Sequence, residues 1–227
     1  MGLNAQYDEP SANRKKKRAG EISDEVVKSW QHLLRGFWWS GLRLEEALNL
    51  WWDFRNDRLS VDWSGKYVML HIPAELEKGH QDRLYPVAPE FAEFLMVTSE
   101  AERTGPVFSP TPLRPERSQR LGKQQVGRVI SRIGESAYVK VDTDSKGKVK
   151  FASAHDLRRS FGERWSLLRV MPQTLIVLMR HDSIETTLKY YVGHNAETTA
   201  EALYAAVSGN SPQFSADSLS RKFDVSL

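Results

Sequence analysis

Two histidines, an arginine and a tyrosine lie within forty residues of one another near the carboxyl-terminal end of the chain. His155 and Arg158 occur in the sequence H-D-L-R, His181 follows an apolar run, and Tyr190 lies in a threonine-rich segment. Residues three apart on a helix share a face, so His155 and Arg158 can point at one small target. A guanidinium remains charged in proteins and a phenol can act as a nucleophile. This set therefore suits attack by a tyrosine on an anionic substrate.

The composition restricts the kinds of protein that this chain could be. It has 227 residues, of which 27% are charged and none is cysteine, and its net charge is +3. Disulfides, thiolate zinc sites and thiol catalysis are thereby excluded. No apolar run approaches the ~20 residues of a membrane span, and no signal peptide is evident at the N-terminus. We expect an intracellular protein, and the mildly basic charge permits a nucleic-acid partner without requiring one.

The elements that must position these residues are predicted mainly to be helices. Apolar residues recur at helical spacing over 23–37, 42–50, 89–102, 123–133 and 197–207, and further helices are predicted to begin near His155, at Pro172 and after Ser183. Short β-rich runs at 58–63, 67–72 and 83–87 predict three strands, and the alternating pattern near 137–152 predicts a separate hairpin. The tryptophans at 38, 39, 51 and 52 flank helices, so we expect core packing rather than base stacking.

Two upstream motifs add further candidates. The sequence S-G-L-R-L-E-E contains Arg43 and Glu46, and Lys78 lies in a turn that reads K-G-H-Q-D-R-L-Y-P. Taken alone, Arg43 and Glu46 could be a surface ion pair, which stabilises a protein by a few tenths of a kcal/mol. Lys78 taken alone could be a solvated turn residue.

Together, these motifs resemble the catalytic domain of the tyrosine recombinases, or phage integrases. That family reads T-G-L-R-x-x-E, a lysine in a β-turn, H-x-x-R, an L-G-H corner and a tyrosine nine residues after that histidine, and nine residues after His181 is Tyr190. The resemblance implies an α+β, mainly helical fold, with helices around a small three-stranded antiparallel sheet. The hairpin near 137–152 would be an insertion. All six catalytic positions of the family are filled, by Arg43, Lys78, His155, Arg158, His181 and Tyr190.

The resemblance also implies a function: site-specific DNA recombination or integration, as in mobile genetic elements. Strands would be cleaved and rejoined through a 3′-phosphotyrosyl intermediate, without a metal or cofactor. Fixed guanidinium donors suit the charge that builds on the phosphate oxygens. The implied roles are a phosphate clamp (Arg43, Arg158), a further donor (His181), the nucleophile (Tyr190), the base (His155) and the acid for the leaving 5′-hydroxyl (Lys78).

The predicted organisation is a flexible basic arm over 1–21, a catalytic domain over 22–208 and a tail over 209–227. The arm could lie along DNA phosphates or act only as a linker. Only about twenty polar residues precede Ser23, so we expect a catalytic domain without the DNA-clasping domain of the family, and weak, salt-sensitive binding to double-stranded DNA. Self-association into a synaptic tetramer would use the last helix or the tail. The expected location is the cytoplasm of a bacterium or phage-infected cell, at the nucleoid.

Several alternatives stay open at this stage. Tyr191 is a rival nucleophile, although adjacent helical residues point about 100° apart and only one can face the phosphate. Arg180 replaces the family's glycine before His181, where it could contact a phosphate or misplace that histidine. Lys123, Arg128 and Arg132 could form a phosphate-facing stripe or a solvated face. A non-catalytic DNA-binding or assembly module and, less readily, a type IB topoisomerase are the alternative functions.

Overall fold

The computed structural model describes residues 22–76, 80–113 and 120–192, together with Tyr204. The predicted arm, Lys78, the tail and nearly all of the last predicted helix lie outside these residues. Among the described helices, none is long and apolar enough to cross a membrane.

The first helix, α1, runs over Asp24–Ser40 and forms the centre of the larger core. The side-chain oxygen of Ser23 accepts a hydrogen bond from the Val26 amide, and acidic residues occupy the first turn, where the helix dipole favours them. Gly41 ends the helix in the left-handed conformation, at φ 60°. An L-residue there is disfavoured, and a Cβ would lie 2.4 Å from the Phe161 ring.

Within the described ranges between residues 44 and 192, six further α-helices follow, α2 to α7. The expected start of a helix at Pro172 and of another after Ser183 is confirmed. The helix predicted over 42–50 ends earlier, and the one predicted over 89–102 divides into a helix and a single 3₁₀ turn at Glu100–Glu102. The bounds are Leu44–Leu48 (α2), Pro89–Met96 (α3), Lys123–Ser136 (α4), Ala154–Leu167 (α5), Pro172–Met179 (α6) and Ile184–Val192 (α7).

The main sheet has four strands in the order β1-β2-β3-β4. The three predicted strands pair antiparallel, as expected, at Leu59–Asp62 (β2), Met69–Ile72 (β3) and Arg83–Pro86 (β4). The sequence did not predict β1, Leu50–Trp51, which pairs parallel with β2. Two residues carry no strand periodicity, and the Val107 amide, far along the chain, donates to the Leu50 carbonyl. Only tertiary contacts hold this strand in place.

The hairpin predicted near 137–152 is present as a second, two-stranded sheet. Its strands, Lys140–Thr143 (β5) and Val149–Phe151 (β6), pair antiparallel immediately before α5. Most of its residues are exposed.

Two apolar clusters fix the helices that matter for the site. The larger surrounds α1 and packs the sheet against α3 and α4. The smaller joins α5, α6 and the start of α3 through five buried residues, Ala88, Phe161, Leu175, Leu178 and Met179, and Tyr190 of α7 packs against it. Trp52 is buried in the larger cluster, as expected, whereas Trp51 lies beneath the Arg58 guanidinium. The smaller cluster therefore brings α5, α6 and α7 together.

Candidate active site

The start of α5 is fixed by the buried carboxylate of Asp156. This carboxylate accepts hydrogen bonds from the amide and hydroxyl of Ser153. It also forms an ion pair with Lys150, whose Nζ lies 2.8 Å from Oδ1. Burial alone would raise the pKa of Asp156, but the bonds from Lys150 and Ser153 lower it. The β5–β6 hairpin is thus joined through Lys150 to the helix that carries His155 and Arg158.

Arg158 is buried and links the ends of two other helices. Its two terminal nitrogens donate to the carbonyl oxygens of Gly41, after α1, and Met179, at the end of α6. Burial, followed by the charges of Arg43 and Arg180, lowers its pKa to about 10, so it remains cationic at neutral pH. Helix ends leave carbonyl groups without partners, and Arg158 satisfies two of them with one side chain.

Arg43 lies at the beginning of α2 and is held by Glu46, one turn later. Its Nη1 donates to Oε1 of Glu46 at 2.9 Å, and its amide donates to Oε2 at 2.6 Å. Its Nη2 donates to the carbonyl oxygen of Arg180, at 3.0 Å. The guanidinium is therefore oriented by groups on both sides of the site.

Arg180 adopts the left-handed conformation, at φ 48° and ψ 51°, where it ends α6. A glycine takes this conformation without strain, whereas an L-residue is disfavoured by about 1–2 kcal/mol. The side chain turns to Glu46, with Nη2 2.5 Å from Oε2 and Nε 3.3 Å from Oε1. Arg180 forms an internal ion pair with Glu46, and the His181 amide donates to the Ile176 carbonyl at 3.2 Å.

Glu46 is ionised in this setting. Burial raises the pKa of its carboxyl group, but the charge and hydrogen bonds of Arg180 and the bonds from Arg43 outweigh that effect and bring it to about 2.

His181 is positioned by Thr187 and lies beside Tyr190. Its Nδ1 is 2.9 Å from the hydroxyl oxygen of the fully buried Thr187. Its ring lies parallel to that of Tyr190, with the centroids 6.0 Å apart. Burial, followed by the positive charges of Arg158 and Arg43, lowers the pKa of His181 to about 4. The imidazole is therefore neutral at pH 7, with one nitrogen bonded to Thr187.

Tyr190 is half-buried, and α5 approaches it closely through Gly162. A Cβ on Gly162 would lie 2.7 Å from Sδ of Met179 and 2.9 Å from the Tyr190 ring. The hydroxyl of Ser166 donates to the Tyr190 carbonyl at 3.0 Å. Burial raises the pKa of Tyr190, and the charge of Arg158 partly opposes that rise. The phenol is protonated at neutral pH and would need a base to act as a nucleophile.

His155 is exposed at the first turn of α5 and lines an open groove between α4 and α5. The groove has a volume of about 510 Å³, and Arg128 and Arg132 of α4 form part of its wall. Within the described residues, no hydrogen bond or ion pair joins His155 to Tyr190 or Arg158. Lys123 at the start of α4 pairs with Glu45 at 2.6 Å, so its charge is already compensated.

The structure therefore brings together four of the six predicted residues, Arg43, Arg158, His181 and Tyr190, through direct contacts, shared partners or mutual electrostatic effects. His155 shares a helix with Arg158 but faces the groove. Lys78 lies outside the described residues, as does the side chain of Tyr191. Within the described part of the chain, no group of three or more acidic or histidine side chains is arranged to hold a metal ion.

Sequence reasoning missed Thr187 and Gly162. A glycine in the interior of an amphipathic helix is the one available signal for Gly162, because such residues often mark close packing. No local signal distinguishes Thr187 from the neighbouring Thr186.

Comparisons with known proteins give one family match and several structural matches. A sequence model described as "Phage integrase family" matches residues 15–198. Two solved structures of the Tn1549 transposon integrase, one in complex with transposon right end DNA and one with circular intermediate DNA, match with TM-scores of 0.50 and 0.51 at 18% identity. The matches cover 82% of this chain and 61% and 62% of the integrase chains, so the chain spans about three-fifths of their length. At this identity the likeness concerns the fold. A search of curated proteins gave no match.

Proposed function

The chain belongs to the phage integrase family, and on that premise we propose that it is a site-specific recombinase that cleaves and rejoins DNA strands through a covalent bond to Tyr190. Residues 22–208 would form its catalytic domain, preceded by a basic arm and followed by a tail.

The observation that carries this proposal is the convergence of charge on the His181–Tyr190 pair. Arg158, Arg43 and Arg180 all lower the pKa of His181, and Arg158 also acts on Tyr190. Coulombic effects weaken with distance, and the Arg43 guanidinium also bonds to the carbonyl of Arg180, next to His181 in the chain. A phosphate bound among these cations would lie within reach of a phenol, an arrangement that a purely structural cluster would not need.

The chemistry would proceed as an in-line displacement. Oη of Tyr190 attacks the scissile phosphorus, the P–O5′ bond breaks, and a 3′-phosphotyrosyl bond forms. The guanidinium of Arg43 stabilises the charge on the non-bridging oxygens, and Arg158 would add to this through the N–H groups that its bonds to the Gly41 and Met179 carbonyls leave unused. When the Thr187 hydroxyl donates to Nδ1 of His181, Nε2 carries the proton and can donate to the same oxygens. Attack by a 5′-hydroxyl reverses the step and rejoins the strands.

Two proton transfers complete the step. The phenol proton passes to a base, for which we propose His155, and the 5′-oxygen receives a proton from an acid, for which we propose Lys78. Both assignments rest on the resemblance to the family motifs. His155 lines the groove beside Arg128. Bound DNA would therefore lie between the His155 imidazole and the Tyr190 phenol, or would bring α5 and α7 closer together.

The partner would be double-stranded DNA, and the DNA held in the two matched integrase structures supports this choice. We further propose that protomers assemble as a synaptic tetramer on DNA, through the carboxyl-terminal helix or the tail. The reaction would take place at the nucleoid of a bacterial host.

The direct test is covalent trapping. Nicked suicide duplexes with randomised sequence around the nick would be incubated with the protein, and denaturing gels would reveal protein–DNA adducts. We expect an adduct from the wild-type protein and from Tyr191→Phe, and none from Tyr190→Phe.

An adduct from Tyr190→Phe would overturn the choice of nucleophile. Binding of the duplex pool in gel shifts without any adduct from the wild-type protein would instead identify a non-catalytic DNA-binding module.

A further inference from the structure

We propose that Arg180 is a positioning residue for strand cleavage, acting through the Glu46 carboxylate to leave the Arg43 guanidinium oriented and free for the phosphate. This inference rests on the proposed function, and it concerns a residue that stands where the family motif has glycine.

The carboxylate of Glu46 is shared evenly by two arginines. Its Oε1 accepts from Nη1 of Arg43 at 2.9 Å and from Nε of Arg180 at 3.3 Å. Its Oε2 accepts from the Arg43 amide at 2.6 Å and from Nη2 of Arg180 at 2.5 Å. A carboxylate has about four lone-pair positions, so its accepting capacity is filled.

Arg180 also holds Arg43 directly through its backbone. The left-handed turn at Arg180 exposes its carbonyl oxygen, which accepts from Nη2 of Arg43 at 3.0 Å. Arg43 thus makes one side-chain bond to Glu46 and one to the Arg180 backbone, while its remaining donors are unused among the described residues. Two fixed bonds restrict the guanidinium plane before a phosphate arrives.

The charges favour the same role. Without Arg180, the ionised Glu46 would cancel one of the two remaining guanidinium charges. With Arg180, these three guanidinium groups and the Glu46 carboxylate together carry two net positive charges near His181. The transition state of phosphoryl transfer spreads additional negative charge over the non-bridging oxygens, which these charges would stabilise.

The exposure of the two arginines indicates which one meets the phosphate. The Arg43 side chain is 49% exposed, whereas that of Arg180 is 10% exposed and paired. Nε and Nη2 of Arg180 both bond to the Glu46 carboxylate, which fixes its guanidinium toward Glu46 rather than toward solvent. The geometry therefore assigns it an indirect role.

Arg180→Gly removes the side-chain contacts with Glu46 and keeps the backbone contact with Arg43. Glycine accepts the left-handed conformation and retains the carbonyl that holds Arg43. DNA recovered from wild-type adducts in the randomised pool would serve as the substrate for single-turnover kinetics. At saturating DNA we expect Arg180→Gly to form the adduct more slowly, on the order of 10- to 100-fold, as for residues that orient an active-site group. The DNA dissociation constant should change less than about 3-fold, and Arg180→Lys, which keeps the charge, should recover part of the rate.

The deciding measurement repeats the substitution in a Glu46→Gln background. If Arg180 acts through the carboxylate, its loss should slow that variant by less than about 2-fold, because a neutral amide no longer needs compensation. Equal slowing in both backgrounds would show that Arg180 contacts the phosphate itself, and an unchanged rate in the wild-type background would show that it has no role. Either result overturns the proposal.

If the proposed function is wrong, the wild-type protein gives no adduct from any duplex. The Arg180–Glu46 coupling can still be measured in that case, by urea unfolding of the wild-type protein, Arg180→Gly, Glu46→Gln and the double variant. Additive effects on stability would then overturn the proposed ion-pair linkage independently of DNA chemistry.

Discussion

The rings of His181 and Tyr190 lie parallel, with their planes inclined by 7° and their centroids 6.0 Å apart. The turn after α6 carries the first ring and α7 carries the second, so the pair depends on how these two helices pack. Gly162 of α5 lies against the Tyr190 ring, and Thr187 of α7 is bonded to His181.

Gly162→Ala should push α5 away from Tyr190. The added Cβ would meet Sδ of Met179 at 2.7 Å and the tyrosine ring at 2.9 Å, so we expect about 1–3 kcal/mol of destabilisation and slower adduct formation. Urea unfolding and covalent trapping measure the two effects. Gly127→Ala in α4 is the matched control, because its Cβ would lie 3.4 Å from the nearest atom, and it should be neutral or stabilising. Equal stability of the two variants would contradict the close approach.

Thr187→Val should loosen the orientation of His181 while keeping the shape of the buried side chain. We expect a loss of about 1 kcal/mol in stability, since one hydrogen bond is removed, and adduct formation slower by roughly 10-fold. Thr186→Val, at an exposed position one residue earlier, should leave both quantities unchanged. If the two valine variants cleave DNA at the same rate, Thr187 does not position the histidine.

Acidification should destabilise the fold through His181. Its pKa is about 4 in the folded chain, against 6.5 for an ordinary histidine, so the unfolded chain binds the proton more readily. The stabilisation from neutral His181 is therefore present above about pH 6.5 and is lost as the pH falls toward 4. Urea midpoints at pH 7.5, 6.0 and 5.0 should fall more steeply for the wild-type protein than for His181→Asn. Parallel curves would show that His181 titrates normally.

The groove beside His155 should contribute to DNA affinity through phosphate contacts. Arg128 and Arg132 lie one helical turn apart on its wall, and among the described residues neither forms an ion pair. Arg128→Gln and Arg132→Gln should each reduce the slope of log K against log salt by about one. Fluorescence anisotropy at several salt concentrations gives this slope. Lys123→Gln should change it less, because Lys123 is already paired with Glu45, and unchanged slopes for both arginine variants would identify a solvated face.

Much of the fold was predictable from the sequence because its signals are local. The Ser23 cap, the apolar periodicity of α1, α4 and α5 and the turn-rich centre of the inserted hairpin all act within a few residues. The family assignment was predictable as well, since the motifs around Arg43, His155 and His181 keep their order and the family match extends over most of the chain. The short parallel strand β1 was not predictable, because two residues have no periodicity and its partners come from distant segments.

By itself, the sequence determined which residue types are available for chemistry and in what order, including the nine-residue interval from His181 to Tyr190. The tertiary structure alone decided how they meet. It placed Arg180 against Glu46, 134 positions earlier in the chain, and placed His155 in the wall of the groove between α4 and α5. Ion pairs and ring contacts of this kind depend on the relative placement of helices, which the buried packing of α5, α6 and α7 sets and which no local pattern encodes.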